Sequence, residues 1–325
     1  MITLKNAQQL DKMRAAGRLL YDIMQRLREV IKAGETTAAI DAFAEEQIRR
    51  NKAVPSFLNY RGYPKSICAS LDDEVVHGIP SDSVVLREGS ILSVDCGLIL
   101  NGWQADSAFT VPIGQVSADK LELIRVTEAC FFAGARAAVD GNRIGDIGHA
   151  VQSVAEGQGM GVVRELTGHG IGRNMHEDPS VPNYGTAGNG VRLRAGMTIA
   201  IEPMVNQGTW QVELLKDNWT VVTKDGKLSA HYENTVAVTG NEPEILRASQ
   251  RGRGCDGIGI RPSKEMEHRP PLSLAGKRVT VMGLGRLGGG AAAPDQPPAV
   301  ALEHDLFAEE AAVGLDRVGV EHQQP

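Results

Sequence analysis

The segment SVDCGLILNGWQADSAFTV carries Asp95 and Asp106 on either side of Asn101-Gly102. An Asn-Gly pair between apolar-rich runs is a strong two-residue hairpin signal, because both turn positions need φ > 0. In that register Leu100 faces Trp103 and Asp95 faces Ala108. Asp106 is then the diagonal neighbour of Asp95 on the same face, within ~7–8 Å by backbone. Two like charges so close repel, and in a sheet interior each also loses hydration, so without a cation at least one must stay protonated. A metal would resolve the conflict. The rival is an exposed hairpin with two solvated acids, although Val94, Ala105, Ala108 and Phe109 crowd them with apolar neighbours.

Downstream, LTGHGIGRNMHEDPSVPNYG places His169 in what reads as a glycine-rich turn, with His176 seven residues later. Gly168, Gly170 and Gly172 would let backbone approach a ligand closely. A lone loop histidine is usually a surface residue; two in one glycine-rich loop invite a role. Glu202 lies in the strand-like run TIAIEPMV, and Glu233 precedes the apolar run of NTVAVT. A glutamate in such a strand is costly to bury unless it is paired or metal-bound. An arginine partner is the competing explanation for either one. Taken with the aspartate hairpin, four carboxylates and one imidazole form a hard, oxygen-rich donor set suited to Mn, Fe, Co or Zn rather than to a thiolate site. Two divalent ions supply +4 against four carboxylates. A bridging hydroxide would complete a hydrolytic centre with metals ~3.5–4 Å apart.

Helices must position these groups. From Lys5 to about Ile31, Leu10, Met13, Leu20, Met24, Leu27 and Ile31 recur at helical spacing, and Gly34 ends the run. Thr36 or Thr37 can cap a second helix carrying Ile40, Phe43 and Ile48. A third helix is expected over Ala118–Val139 and a fourth over Ile144–Glu156, with short strands from Val162 to Val238. Two helices then strands, twice over, suggests a duplicated unit. Gly34, Ile40 and Asp95 each fall 107 positions before Gly141, Ile147 and Glu202. Chance is the alternative for matches this sparse.

The chain has 325 residues and a formal net charge of -6, which offers no long-range attraction to a phosphate backbone or an anionic membrane. Nucleic acid and membrane are therefore not expected partners. Cys68, Cys96, Cys130 and Cys255 are widely separated, as expected in a reducing compartment. Neither a signal peptide nor a run of about 18 apolar residues is present, so a cytoplasmic location is expected. Beyond Leu246 the composition turns to glycine, proline and charge, and residues 247–325 are expected to be an irregular or disordered extension. Gly283, Gly285 and Gly288 there stand in G-x-G-x-x-G spacing. The segment resembles the opening phosphate turn of a muramyl-peptide ligase, but no complete βαβ unit follows, and it is read as vestigial.

The ordered series YRGYPKSICAS, DDEVVHGIP, VDCGLILNGWQADSA, TGHGIGRNMHED, TIAIEPM and SAHYENTVAV resembles the type I methionine aminopeptidases of bacteria across residues 2–246. The resemblance implies an α/β (α+β) pita-bread fold, creatinase/aminopeptidase-like, with two pseudo-symmetric halves around a dinuclear metal site. Asp106 and Glu233 would bridge both ions, Asp95 would hold one, and His169 with Glu202 would complete the other. His77 would position the substrate amine and stabilise the intermediate, His176 would donate to the scissile peptide, and Glu202 would shuttle the proton. Tyr60, Tyr63, Cys68, Met175 and Trp219 would build the methionine pocket. Met175 stands where relatives often have an aromatic residue. Ser229 falls where some relatives bind a monovalent cation. The implied activity is a metalloaminopeptidase, a hydrolase that removes initiator methionine from the N-termini of nascent polypeptides when the second residue is small and uncharged. A monomer is expected, with the ribosome as a further candidate partner. A proline-specific peptidase of the same fold and a non-catalytic binding protein on that scaffold are the alternatives.

Overall fold

A computed structural model describes residues 1–247. The expected 247–325 extension, including its G-x-G-x-x-G segment, lies outside the described residues except for Arg247. The elements are α1 (Ala7–Val30), α2 (Thr37–Arg50), β1 (Val54–Pro55), β2 (Ile67–Leu71), β3 (Glu74–Val76), β4 (Ile91–Leu100) and β5 (Trp103–Pro112) in the first half. The second half holds α3 (Ala118–Ala137), α4 (Ile144–Gly157), β6 (Gly161–Val162), β7 (Gly168–Gly170), β8 (Glu177–Val181) and β9 (Thr198–Ile201). It continues through β10 (Met204–Asn206), β11 (Val212–Leu214), β12 (Val221–Thr223), β13 (Ser229–His231), β14 (Glu233–Ala237) and β15 (Glu244–Ile245). None of the described helices is long and apolar enough to cross a membrane.

Four helices form where periodicity placed them. α1 starts two residues later than expected because Asn6 caps it: Asn6 Oδ1 accepts from Gln9 N, and Gln9 Oε1 accepts from Asn6 N. Its buried stripe of Met13, Ala16, Gly17, Leu20, Ile23, Met24 and Leu27 faces the sheet. Thr36 caps α2 through Ala39 N. The duplication is visible in the element bounds, since α2 and α4 are offset by 107 at both ends (37 to 144, 50 to 157). β1 and β6 share that offset (54 to 161, 55 to 162).

The main sheet runs β1-β4-β5-β14-β9-β7-β8, with β2 also on β4 and β15 also on β14. Two three-stranded sheets, β13-β10-β6 and β11-β12-β3, complete the fold. The β4–β5 hairpin has the expected register: Leu100 pairs Trp103, Asp95 pairs Ala108 and Gly97 pairs Asp106. Val94, Cys96, Leu98, Ala105 and Phe109 fill the helix-side core with Leu20, Met24 and Phe131. Since side chains alternate across a strand, Asp95 and Asp106 must occupy the other face together.

The last strand is seated tightly on α1. An added Cβ at Gly17 would come within 1.6 Å of Leu246 O, and Arg14 binds Glu244 through both carboxylate oxygens at 2.7 Å. Gly17→Ala should therefore force β15 outward and lower stability by about 1–3 kcal/mol, the usual penalty of overpacking. Urea unfolding checks this; an unchanged midpoint would mean that Leu246 can move aside freely.

Candidate metal centre and substrate cavity

The centre is assembled from both halves. Asp95 lies on β4 and Asp106 on β5, while Glu233 opens β14 directly opposite Ala108. His169 comes from β7, and Glu202 follows the last residue of β9. Two expectations are corrected here. TIAIEPMV is not one strand: it divides at Glu202-Pro203 into β9 and β10, which belong to different sheets. A proline cannot donate to a ladder, so the chain leaves the sheet there and turns Glu202 out of the strand. His169 lies in a buried strand rather than a turn. Its glycines admit neighbouring backbone, not a ligand, for a Cβ at Gly168 would meet Ala200 O at 2.4 Å and one at Gly170 would meet Asp178 O at 2.2 Å.

Asp106, His169 and Glu233 offer ligand atoms that all lie within 4.8 Å of one another. His169 Nε2 is 3.9 Å from Asp106 Oδ2 and 3.7 Å from Glu202 Oε1. Its Nδ1 lies 2.9 Å from the carbonyl of Gly170, which can only accept. The ring proton therefore sits on Nδ1, and the Nε2 lone pair points at the carboxylates, which suits a metal ligand. Burial pushes His169 down to about 4, so the ring is neutral at pH 7.

The carboxylates show what they lack. Asp95 Oδ1, Asp106 Oδ1 and Glu233 Oε1 are buried without a hydrogen-bond partner. Burial raises Asp106 to about 7. Burial, reinforced by repulsion from Asp106, holds both Asp95 and Glu233 well above the carboxylate range. Orphaned oxygens in a cluster of oxygen donors plus one imidazole fit hard divalent cations. No arginine or lysine pairs with Asp106 or Glu233 among the described residues, which removes the ion-pair alternative for Glu233.

This charge conflict gives the metal-free protein a distinctive pH dependence. Asp106 titrates near 3.8 when unfolded and near 7 when folded, and Asp95 and Glu233 shift the same way. A raised acid binds its proton more tightly in the folded state, so its contribution is complete below pH 4 and is lost as pH rises through 7. The metal-stripped protein should therefore melt lower at pH 8 than at pH 5.5, and divalent ions should reverse that slope. A metal-free melting temperature that rises over the same interval would contradict the clustered-acid reading.

The five metal-ligand candidates, His77, His176 and the five methionine-pocket candidates all border one cavity of about 190 Å³, whereas Ser229 does not line it. Tyr63 is held by its hydroxyl at 3.0 Å from Ile67 O and 3.1 Å from Gly78 O, and it meets Trp219 edge-on at 5.0 Å. Cys68 is the register partner of Asp95; burial pushes its thiol up, so it stays protonated and serves as apolar wall. Met175 is buried, and its Cε enters the space left by the missing side chain of Gly97. His77 sits at φ 60, a strained setting for a residue with a Cβ, and burial lowers it to about 4. His176 stands at the mouth with one edge exposed, stacked on Tyr60, whose hydroxyl is 2.8 Å from Nδ1. Desolvation against the wall is the main cause that keeps it neutral, and the positive charge of Arg61 adds to it. Ser229 bonds Asn206 Oδ1 at 2.8 Å, and its amide meets Asp72 O.

Sequence reasoning missed Phe57 and Leu166, which also line the cavity. It also missed His231, buried behind Glu233 with Nε2 3.9 Å from Glu233 Oε2 and without a hydrogen-bond partner. The two-residue spacing of His231 and Glu233 was the available signal.

Residues 11–240 match the metallopeptidase family M24 model. A methionine aminopeptidase of Clostridium acetobutylicum is 52% identical over 246 residues, spanning 76% of this chain and 98% of that protein. The crystal structure of a methionine aminopeptidase from Rickettsia prowazekii superposes with a TM-score of 0.75 at 40% identity, covering 76% of this chain and 99% of the other. The prolidase from Pyrococcus horikoshii OT3, at 19% identity and TM-score 0.58, shares the fold over 62% of its length. The divided sheet, the acid-rich centre and this likeness over nearly the full length of its relatives together place the chain in metallopeptidase family M24.

Proposed function

We propose that this protein is a methionine aminopeptidase that releases the initiator methionine from nascent polypeptides in the cytoplasm. The observation that carries the reading is one cavity holding two kinds of wall: an acid cluster with orphaned oxygens, and an apolar slot of Tyr63, Cys68, Met175 and Trp219 beside it. An unbranched thioether suits such a slot. Asp95, Asp106, His169, Glu202 and Glu233 would hold two divalent ions, which supply an acidified water and charge neutralisation when bound.

The chain's own groups do the rest. The neutral ring of His176 can donate its N–H toward the scissile carbonyl as an oxyanion-type donor, while His77, whose N–H goes to the Trp219 backbone, can accept from the substrate amine with its other nitrogen. Glu202, at the break between β9 and β10, would take a proton from water and pass it to the leaving amine.

Met-Ala-Ser assayed against Ala-Pro tests the reading, and turnover of Ala-Pro alone would replace it with a proline peptidase. Within methionyl peptides, Met-Ala, Met-Ser and Met-Gly should be cleaved and Met-Ile and Met-Lys resist, since the turn bearing His176 crowds the second residue. Comparable turnover of Met-Ile and Met-Ala would refute the small-residue rule.

A further inference from the structure

We propose that Lys5 is a positioning residue for His176, acting through the Glu177 carboxylate. The inference rests on the aminopeptidase reading for the role of His176, but the geometry behind it is independent. Glu177 follows His176 directly in the chain. Its Oε1 accepts from Arg173 N at 2.8 Å and Asn174 N at 3.1 Å, closing the turn that carries Met175 and His176. Its Oε2 accepts from Lys5 Nζ at 2.7 Å and Thr3 Oγ1 at 3.0 Å. One carboxylate thus ties the turn to itself and to the amino-terminal arm.

The pair is sheltered: the side chains of Lys5 and Glu177 are 5% and 11% exposed, unlike most ion pairs of the molecule. Lys5 is itself fixed, since its backbone N donates to Gly196 O at 2.7 Å and its ammonium also reaches Thr3 Oγ1 at 2.9 Å. Burial works against the charge of Glu177, but Lys5, the Asn174 amide and Thr3 outweigh it. Other contacts share the load: Gly172 O accepts from Gln104 N at 2.9 Å, Arg173 Nη1 donates to Gly102 O at 3.2 Å, and Tyr60 stacks on the His176 ring. No strand spans the residues between β7 and β8, and Arg173, Asn174 and His176 are exposed. The buried Lys5–Glu177 pair thus adds a fixed anchor to the turn, and a ring that would donate to a carbonyl draws part of its position from a lysine 171 residues earlier in the chain. A 1 Å misplacement of a catalytic donor can cost about 10²-fold in rate.

The test is a double-mutant cycle on the metal-loaded full chain with Met-Ala-Ser. Lys5→Met should lower kcat about tenfold, a partial share of that misplacement cost, while KM changes less than about twofold. Lys5→Arg should restore kcat to within about twofold, because it keeps the charge and the donor. In a His176→Ala background, Lys5→Met should cost nothing further. Wild-type kcat in Lys5→Met, or an equal loss with and without His176, would overturn the proposal. Should Lys5→Met melt below assay temperature, Gly172→Ala takes its place with the same expected pattern. Its methyl would lie 2.6 Å from Lys5 Cε and 2.7 Å from Glu177 Oε1. A wild-type chain that releases no methionine would instead sink the activity reading. The ring-proton NMR signals of His176 would then decide the positioning alone: a shift on Lys5→Met supports it, and an unchanged spectrum refutes it.

Discussion

Stripping divalent ions from the protein should take hydrolysis of Met-Ala-Ser to background, and Mn, Fe or Co should bring it back. The reason lies in the carboxylates. Without cations Asp106 titrates near 7, and Asp95 and Glu233 stay protonated well above their ordinary range. A protonated acid cannot take a proton from water, and His169, His77 and His176 are all too weak as bases for the task. Without the ions the water that Glu202 would deprotonate keeps its ordinary high pKa, and nothing neutralises the charge that develops on the peptide. Rates measured after chelation and after titration of each metal check this. Full activity in verifiably metal-free protein would end the metallopeptidase mechanism for this chain.

The second large effect concerns a single residue. Asp106→Ala should cost more than His176→Ala, beyond the roughly 10²–10³-fold typical of losing one oxyanion donor. Asp106 sits at the meeting point of the cluster, 3.9 Å from His169 Nε2 and electrostatically coupled to both Asp95 and Glu233. Removing it deletes the group that both proposed ion positions share, whereas His176 stands outside the cluster at the cavity mouth. Bound metal per chain, measured by elemental analysis, should fall in Asp106→Ala and stay at the wild-type value in His176→Ala. Equal and mild losses in both variants would contradict the assigned roles.

Much of this centre was legible because one local signal has few solutions. Asn101-Gly102 fixes a two-residue turn, the turn fixes the register, and the register puts Asp95 and Asp106 on one face. The helices were legible for the same reason, a buried stripe at fixed period, with the start of α1 misjudged only where the Asn6 cap was overlooked. Glu202 and His169 were recognised as residues but misplaced as elements. Periodicity treats TIAIEPMV as one apolar run, and only the backbone chemistry of Pro203 divides it. The glycines around His169 read as ligand space because a sequence does not show that Ala200 and Asp178 backbones lie against them. Phe57 and Leu166 were invisible for a more general reason, since an apolar residue lining a cavity has the same sequence signature as one in the core.

The seam between the halves has a consequence for how the molecule could be taken apart. β5 and β14 meet in the middle of the main sheet through only two register pairs, Glu233 with Ala108 and Asn234 with Ser107. Asp95 and Asp106 precede α3, and His169, Glu202 and Glu233 follow it. A cut between Pro112 and Ala118 would therefore leave two polypeptides, neither holding a full ligand set. Added metal would act as a clasp across the seam, drawing the fragments into one complex. Recovery of peptidase activity on mixing them would make the chain a split reporter whose reassembly is switched by a divalent ion.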